Sequence, residues 1–251
     1  MTAAGAARRV AVVFGGSRGI GARVALRLAA DGCDVLVGYA RDREAADKVT
    51  GAIEEGGTAR ATAVRGDVAD PYDVAETFAA AETAYGGVDV VVVCPGAHTR
   101  ERGPLSGTDD ESFARVVDVN LRGTFNVLRL AASRVRPGGR IITLSSSAAA
   151  LGVPGQALYN ACKVAVETLT RELARELAGR DVTVNAVAPG PTATELFLRD
   201  RSSVEIDALA QRVPLGRIGR PDDIADVITF LVGTRGGWIN GQVVRANGGL
   251  I

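Results

Sequence analysis

Seven short runs rich in Val and Ile alternate with six longer amphipathic stretches, and this alternation restricts the fold more than any other feature of the chain. The short runs occupy 10–14, 34–37, 59–64, 88–93, 140–144, 182–187 and 242–245. Most are apolar throughout, as strands covered on both faces are. The stretches 19–31, 42–55, 71–85, 109–135, 157–179 and 221–232 carry helical patterning. Asp70-Pro71 sets a capping side chain before a proline suited to the first helical position, and Arg220-Pro221-Asp222-Asp223 resembles it. The pattern predicts an α/β fold: a doubly wound parallel sheet of about seven strands with helices on both faces and right-handed crossovers. No linker, repeat or low-complexity tract interrupts it, so residues 1–251 read as one domain.

Composition fits that sheet and excludes several partners. Hydrophobic residues make up 47% of the chain and aromatics only 4%, so Ala, Val, Leu and Gly must pack helices closely on the sheet. Basic and acidic residues number 29 each, which leaves no excess charge for nucleic acid or an anionic membrane. Cys33, Cys94 and Cys162 form no CxxC pair and suit a reducing compartment, and no metal site is expected. "MTAAGAARRV" has no long apolar stretch behind its arginines, and "VAVVF" is stopped by Gly15-Gly16. Neither a signal peptide nor a membrane span is read, and a cytoplasmic location is expected.

The first βα unit, "VAVVFGGSRGIGARVALRLA", turns on Gly15, Gly19 and Gly21. Glycines allow positive φ and let a ligand approach the backbone, and the helix that follows aims its N–H groups and positive dipole end at a pyrophosphate. A glycine turn can also be only a tight connection. Its place in the first βα unit of an alternating chain points instead to a dinucleotide, with Gly15, Ser17, Arg18, Gly19, Ile20 and Gly21 as the cradle. The second strand ends "VLVGYARD", with Arg41 near the place where NAD binders carry an acid. Arg41 and Arg18 could fork around a 2′-phosphate, which favours NADP(H) over NAD(H). Two ordinary surface arginines are the competing reading, and Asp42 is a mild counter-signal.

"YNACK", residues 159–163, sets Tyr159 and Lys163 on one helical face. A lysine beside a phenol favours the phenolate and lowers its pKa from about 10. A tyrosine tuned that way can exchange a proton with a substrate oxygen. On the pentapeptide alone, a solvated pair on a surface helix is the simpler reading.

With "GGSRGIG", "GDVAD", "DVNLRGTFNV", "RIITLSSSAA", "YNACK" and "VNAVAPGPTATE" in order, nearly the whole chain resembles the short-chain dehydrogenase/reductase family. Within it, the 3-oxoacyl-carrier-protein reductases and polyketide-type ketoreductases are the nearest in pattern. The resemblance implies a Rossmann-like fold, NAD(P)-dependent oxidoreductase chemistry and a homotetramer or homodimer. It makes Ser146 the carbonyl-binding hydroxyl, with Ser145 and Ser147 as rivals if the register slips by one. It makes Tyr159 the general acid in reduction, Lys163 the group that lowers its pKa and holds the nicotinamide ribose, and Asn120 the anchor of a proton-relay water. Asn120 also falls on the apolar row Phe113, Val116, Val117, Thr124, Val127 and Leu128, and a buried amide needs partners. By the same resemblance Asp67 meets the adenine edge and Val68 its face. Gly96 lies beside the cofactor, and Pro189, Gly190, Thr192 and Thr194 cover the nicotinamide and phosphates.

The implied activity is NADPH-dependent reduction of a ketone, 3-oxoacyl or polyketide-like and possibly presented by a carrier protein, to a secondary alcohol. An NAD-dependent alcohol or sugar dehydrogenase and a catalytically silent NADP-binding regulatory protein are the alternatives. Segments 97–106, 147–156 and a lid over 191–216 would set the substrate. His98 could contact it, although a lone loop histidine is more often solvated. Cys162 is expected to pack as a small hydrophobe, and Trp238 to be core or subunit interface. Two positions depart from the family. Phe14 stands where Thr is usual, and Val93-Cys94-Pro95-Gly96 where Asn-Asn-Ala-Gly is usual. Both changes run from polar to apolar, which suggests that Phe14 and Cys94 touch.

Overall fold

The computed structural model describes residues 8–57, 59–99, 103–199 and 201–251. The strands are β1 (Val10–Phe14), β2 (Asp34–Tyr39), β3 (Ala61–Arg65), β4 (Val88–Val93), β5 (Val135–Leu144), β6 (Thr183–Pro189) and β7 (Val243–Ala246). The helices are α1 (Gly19–Ala30), α2 (Arg43–Glu55), α3 (Pro71–Tyr85), α4 (Asp110–Val117), α5 (Gly123–Arg134), α6 (Ser147–Leu151), α7 (Ala157–Glu176), α8 (Glu195–Leu198), α9 (Ser203–Arg212) and α10 (Pro221–Val232). All strand pairs are parallel, in the order β3-β2-β1-β4-β5-β6-β7. The order reverses beside β1. Ligands of open α/β sheets lie in the crevice at the carboxyl ends of the strands on either side of such a point.

Successive side chains of a strand face opposite ways, and each face has its own core. Ala11, Val13, Val90 and Val92 pack under α1, α2 and α10, while Val10, Val12, Phe14, Val91 and Val93 pack under α3, α5 and α7. The same period separates the two departures. Phe14 is buried with its ring 5.6 Å from that of Phe78 on α3, whereas Cys94 packs with the other core. The expected contact between their side chains does not exist. The strands are joined there by backbone, with the Cys94 N–H donating to the Phe14 carbonyl at 3.0 Å. Burial pushes the Cys94 thiol up to about 12, so it packs as a neutral hydrophobe. Denaturant melts of Phe14→Thr, Cys94→Asn and the double variant are therefore expected to be additive to about 0.5 kcal/mol. Rescue in the double variant would mean that the two side chains communicate.

The predicted helix over 109–135 runs from Asp110 to Arg134, but it is not a regular α-helix throughout. Between α4 and α5 the segment Asp118–Arg122 is one π turn, with Asn120 fully buried inside it. Phe113, placed on the buried row from sequence, is 52% exposed. Helices α6, α8 and α9 were not predicted. Two of them are too short to show a period, but α9 carries a readable start: Ser202 and Glu205 form a reciprocal capping box. Trp238 is 98% exposed and is not core. No helix among the described residues is long and apolar enough to cross a membrane.

Candidate active site

Strand β5 delivers three successive serines to the carboxyl edge of the sheet, and their hydroxyls point to different partners. Ser145 donates to Glu167 at 2.6 Å, and Ser147 donates to the Ala188 carbonyl at 3.0 Å. Asn247 donates to Ser147 at 3.1 Å. Ser146 is the one of the three that acts on the Tyr159 phenol, pulling its pKa down. It also caps α6 by accepting from the Ala148 N–H at 3.2 Å. Ser145 and Ser147 are thus engaged elsewhere.

Lys163 lies one turn beyond Tyr159 on α7, but on the buried side of the helix at 3% exposure. Its Nζ donates to the Leu144 carbonyl at 2.8 Å and sits 5.5 Å from the centre of the Tyr159 ring. Burial lowers the ammonium to about 8. The phenol is pushed up to about 12 by burial, against the pull of the Ser146 hydrogen bond. The expected descent of the phenol toward neutrality is therefore not produced by these groups. The ammonium lies over the ring and is turned to a main-chain carbonyl, so desolvation prevails.

Asn120 has no side-chain donor left for a relay water. Its amide donates to the carbonyls of Ala97 at 2.7 Å and Val116 at 2.8 Å, and its Oδ1 accepts from the Ala97 N–H at 3.3 Å. Its main-chain carbonyl accepts from the Thr124 hydroxyl at 2.8 Å. This amide clamps the loop after β4. Arg115 holds the same loop by donating to the His98 carbonyl. The clamped loop lays the His98 ring on the Tyr159 ring, with centroids 4.1 Å apart and planes at 33°. His98 thus borders the phenol directly, a placement that its isolated position in sequence did not reveal. Gly96 lies in this loop near Asn120, and the 97–106 segment includes Arg100, Glu101 and Arg102, which lie outside the described residues.

The glycine turn fits a pyrophosphate on steric grounds. Gly15 and Gly19 have φ of 71° and 54°. A Cβ on Gly21 would lie 2.2 Å from the Gly15 carbonyl oxygen. Helices α2, α3, α4 and α9 are capped by Asp42, Asp70, Asp109 and Ser202, but α1 has no side-chain cap and no acid in its first turn. Its N–H groups are left for an anion. Ser17 and Ile20 are half-buried in the turn, and Ile20 packs on the core. Thr194 closes over the turn: a Cβ on Gly19 would lie 3.2 Å from its methyl.

Other expected contacts are rearranged. Arg18 and Arg41 do not form one fork, because Arg18 donates to Glu195 at 3.1 Å and lies 3.8 Å from Asp42. Asp42 is the cap of α2, accepting from the Ala45 N–H at 2.9 Å, which accounts for an acid at this position. Arg41 instead lines a cavity of about 300 Å³ with Ala40, Arg65, Asp67 and Asp73. Arg65 was not singled out from sequence, and nothing in a lone arginine at a strand end would have done so. Val68 packs its side chain into the core, where it abuts Gly123. Pro189 ends β6, and Gly190 is pressed on Asn247, where a Cβ would meet the Asn247 Cα at 2.8 Å. The Thr192 hydroxyl is taken up by the Gly190 carbonyl at 2.9 Å, and Thr194 caps α8. The 191–216 segment holds α8 and α9, with Asp200 outside the described residues. Among the described residues no three His, Cys, Asp or Glu side chains gather as a metal site would need.

Residues 15–251 match the profile of the family described as Enoyl-(Acyl carrier protein) reductase. The chain is 41% identical to a short-chain type dehydrogenase/reductase of Picea abies, over 97% of this chain and 92% of that one. It is 37% identical to an NADPH-dependent aldehyde reductase-like chloroplastic protein of Arabidopsis thaliana, over 98% and 95%. Its structure superposes with a TM-score of 0.89 on the angucycline C-6 ketoreductase LanV with bound NADP, at 34% identity over 96% and 95% of the two chains.

Proposed function

Since the chain belongs to the short-chain dehydrogenase/reductase family of NAD(P)-dependent oxidoreductases, we propose that it uses NADPH to reduce a ketone to a secondary alcohol, with Tyr159 as proton donor. The observation that carries this reading is the convergence of Ser146, Tyr159 and Lys163 at the carboxyl edge of β5, beside the glycine cradle. When bound, the nicotinamide supplies the hydride. Ser146 holds the substrate oxygen, Tyr159 gives it the proton, and Lys163 orders the site from the Leu144 carbonyl. Asn120 contributes through its main-chain carbonyl and by clamping the loop. Burial keeps the phenol protonated at neutral pH, so the proton that a reduction needs is in place. NADP(H) is favoured over NAD(H) by Arg41 at the end of β2 and by the cofactors in the names of the relatives above. A 3-oxoacyl or polyketide-like ketone is the substrate class this reading favours, by analogy with the ketoreductase neighbour. The intact Ser-Tyr-Lys set counts against a silent nucleotide-binding protein. Loss of NADPH absorbance across 3-oxoacyl thioesters, cyclic ketones, aldehydes and sugars tests the reading. Turnover with NADH alone, or with none of them, would overturn it.

The same reading makes the protein a homo-oligomer. Phe113 on α4, Phe125 on α5 and Val164 on α7 are 52%, 45% and 46% exposed, an apolar surface suited to a second copy. Light scattering at micromolar concentration should give a dimer or tetramer mass, and a monomer would refute this part. The three cysteines form no disulfide, which fits a cytoplasmic location.

A further inference from the structure

Most guanidinium groups near the crevice are already engaged. Arg18 is held by Glu195, Arg23 by Asp222 and Arg217 by Asp223. Two are not. Among the described residues Arg41 and Arg65 make no ion pair, and they line the same cavity of about 300 Å³. The sheet brings them together. Tyr39 of β2 and Arg65 of β3 are register partners, and Arg41 follows Tyr39 by two residues, so both arginines leave neighbouring parallel strands at one level. Arg65 is anchored at its base, with Nε donating to the Ala40 carbonyl at 3.3 Å. That bond leaves both terminal nitrogens and their four N–H donors available. The carboxylates that line the cavity are turned to backbone donors: Asp73 accepts from the Asp67 N–H at 2.8 Å, and Asp67 from the Ala69 N–H at 3.0 Å.

We propose that Arg65 is a second specificity-determining residue for the cofactor, paired with Arg41 around a phosphate monoester on the adenosine ribose. The proposal rests on the NADP(H) reading above and extends it to a residue on a strand that the glycine turn does not touch. Two guanidiniums at the ends of adjacent strands offer a dianion charge-assisted N–H donors, and a ribose with a free hydroxyl in the same place gains almost nothing from them. The cavity therefore distinguishes two nucleotides that are identical at the nicotinamide.

Dissociation constants for NADPH and NADH, read by nucleotide fluorescence, test this in the wild type, Arg65→Gln, Arg41→Gln and the double variant. Competition by 2′,5′-ADP and 5′-AMP isolates the ribose end. Arg65→Gln should weaken NADPH and 2′,5′-ADP by roughly tenfold while NADH and 5′-AMP stay within about twofold, and the double variant should lose most of the discrimination. Equal weakening of both nucleotides would assign Arg65 to holding Ala40, and no weakening of either would leave it idle; each overturns the proposal alone. A wild type that does not prefer NADPH would overturn the cofactor reading and this proposal with it.

Discussion

Replacing Tyr159 with phenylalanine should leave a folded protein that still binds NADPH but reduces carbonyls at least about 10²–10⁴-fold more slowly. The expectation follows from how little the substitution removes. The ring stays, and with it the stack on His98 at 4.1 Å and the packing of α7. Lys163 keeps its bond to the Leu144 carbonyl. The hydroxyl alone is lost, and one hydrogen bond of such a group is worth about 1 kcal/mol. In a chain of this size that lowers Tm by only about 2–4 °C. Steady-state rates, a nucleotide titration and a thermal melt on one preparation separate the outcomes. Retention of near wild-type turnover would remove Tyr159 from the chemistry.

The second large effect is structural. Gly21→Ala places a methyl 2.2 Å from the Gly15 carbonyl oxygen and 3.1 Å from the Gly16 Cα, so backbone must move. Overpacking of this kind costs about 1–3 kcal/mol, and a contact with rigid backbone belongs at the upper end. Tm should fall by about 5–10 °C, and nucleotide affinity should fall with it because α1 is pushed off the turn that it caps. Gly51→Ala is the control. Gly51 lies within α2 with nothing within 4 Å of a new Cβ, so alanine should stabilise by up to about 1 kcal/mol. If Gly21→Ala melted like the wild type and bound nucleotide normally, the cradle would be looser than its geometry states.

These expectations show where sequence sufficed. The strands at 10–14 and 88–93 and the helices at 71–85 and 221–232 were readable to the residue, because apolar runs and proline starts mark them locally. The π turn at Asp118–Arg122 was not readable, since it inserts a single residue into an otherwise continuous helical pattern. The choice among Ser145, Ser146 and Ser147 depends on which face of a strand end each occupies, and the quoted motif does not carry that. The pairing of Phe14 with Cys94 failed for the same reason: neighbours along adjacent strands alternate faces, and chemical likeness cannot replace register. Arg65 and His98 acquire meaning only through partners far off in sequence, Tyr39 and Arg41 for the one and Tyr159 for the other. The phenol's acidity was misjudged because spacing brings Lys163 near Tyr159 but does not say that burial outweighs it.

The central claim is that hydride reaches a carbonyl carbon while Tyr159 protonates its oxygen. Incubating the wild type with a ketone that it reduces and NADPH deuterated at both C4 positions tests this most directly. Mass spectrometry and NMR should find one deuterium on the carbinol carbon and none on the remaining skeleton, with Tyr159→Phe giving almost no labelled alcohol. Alcohol formed without deuterium, or labelled at the wild-type rate by the variant, would contradict the account.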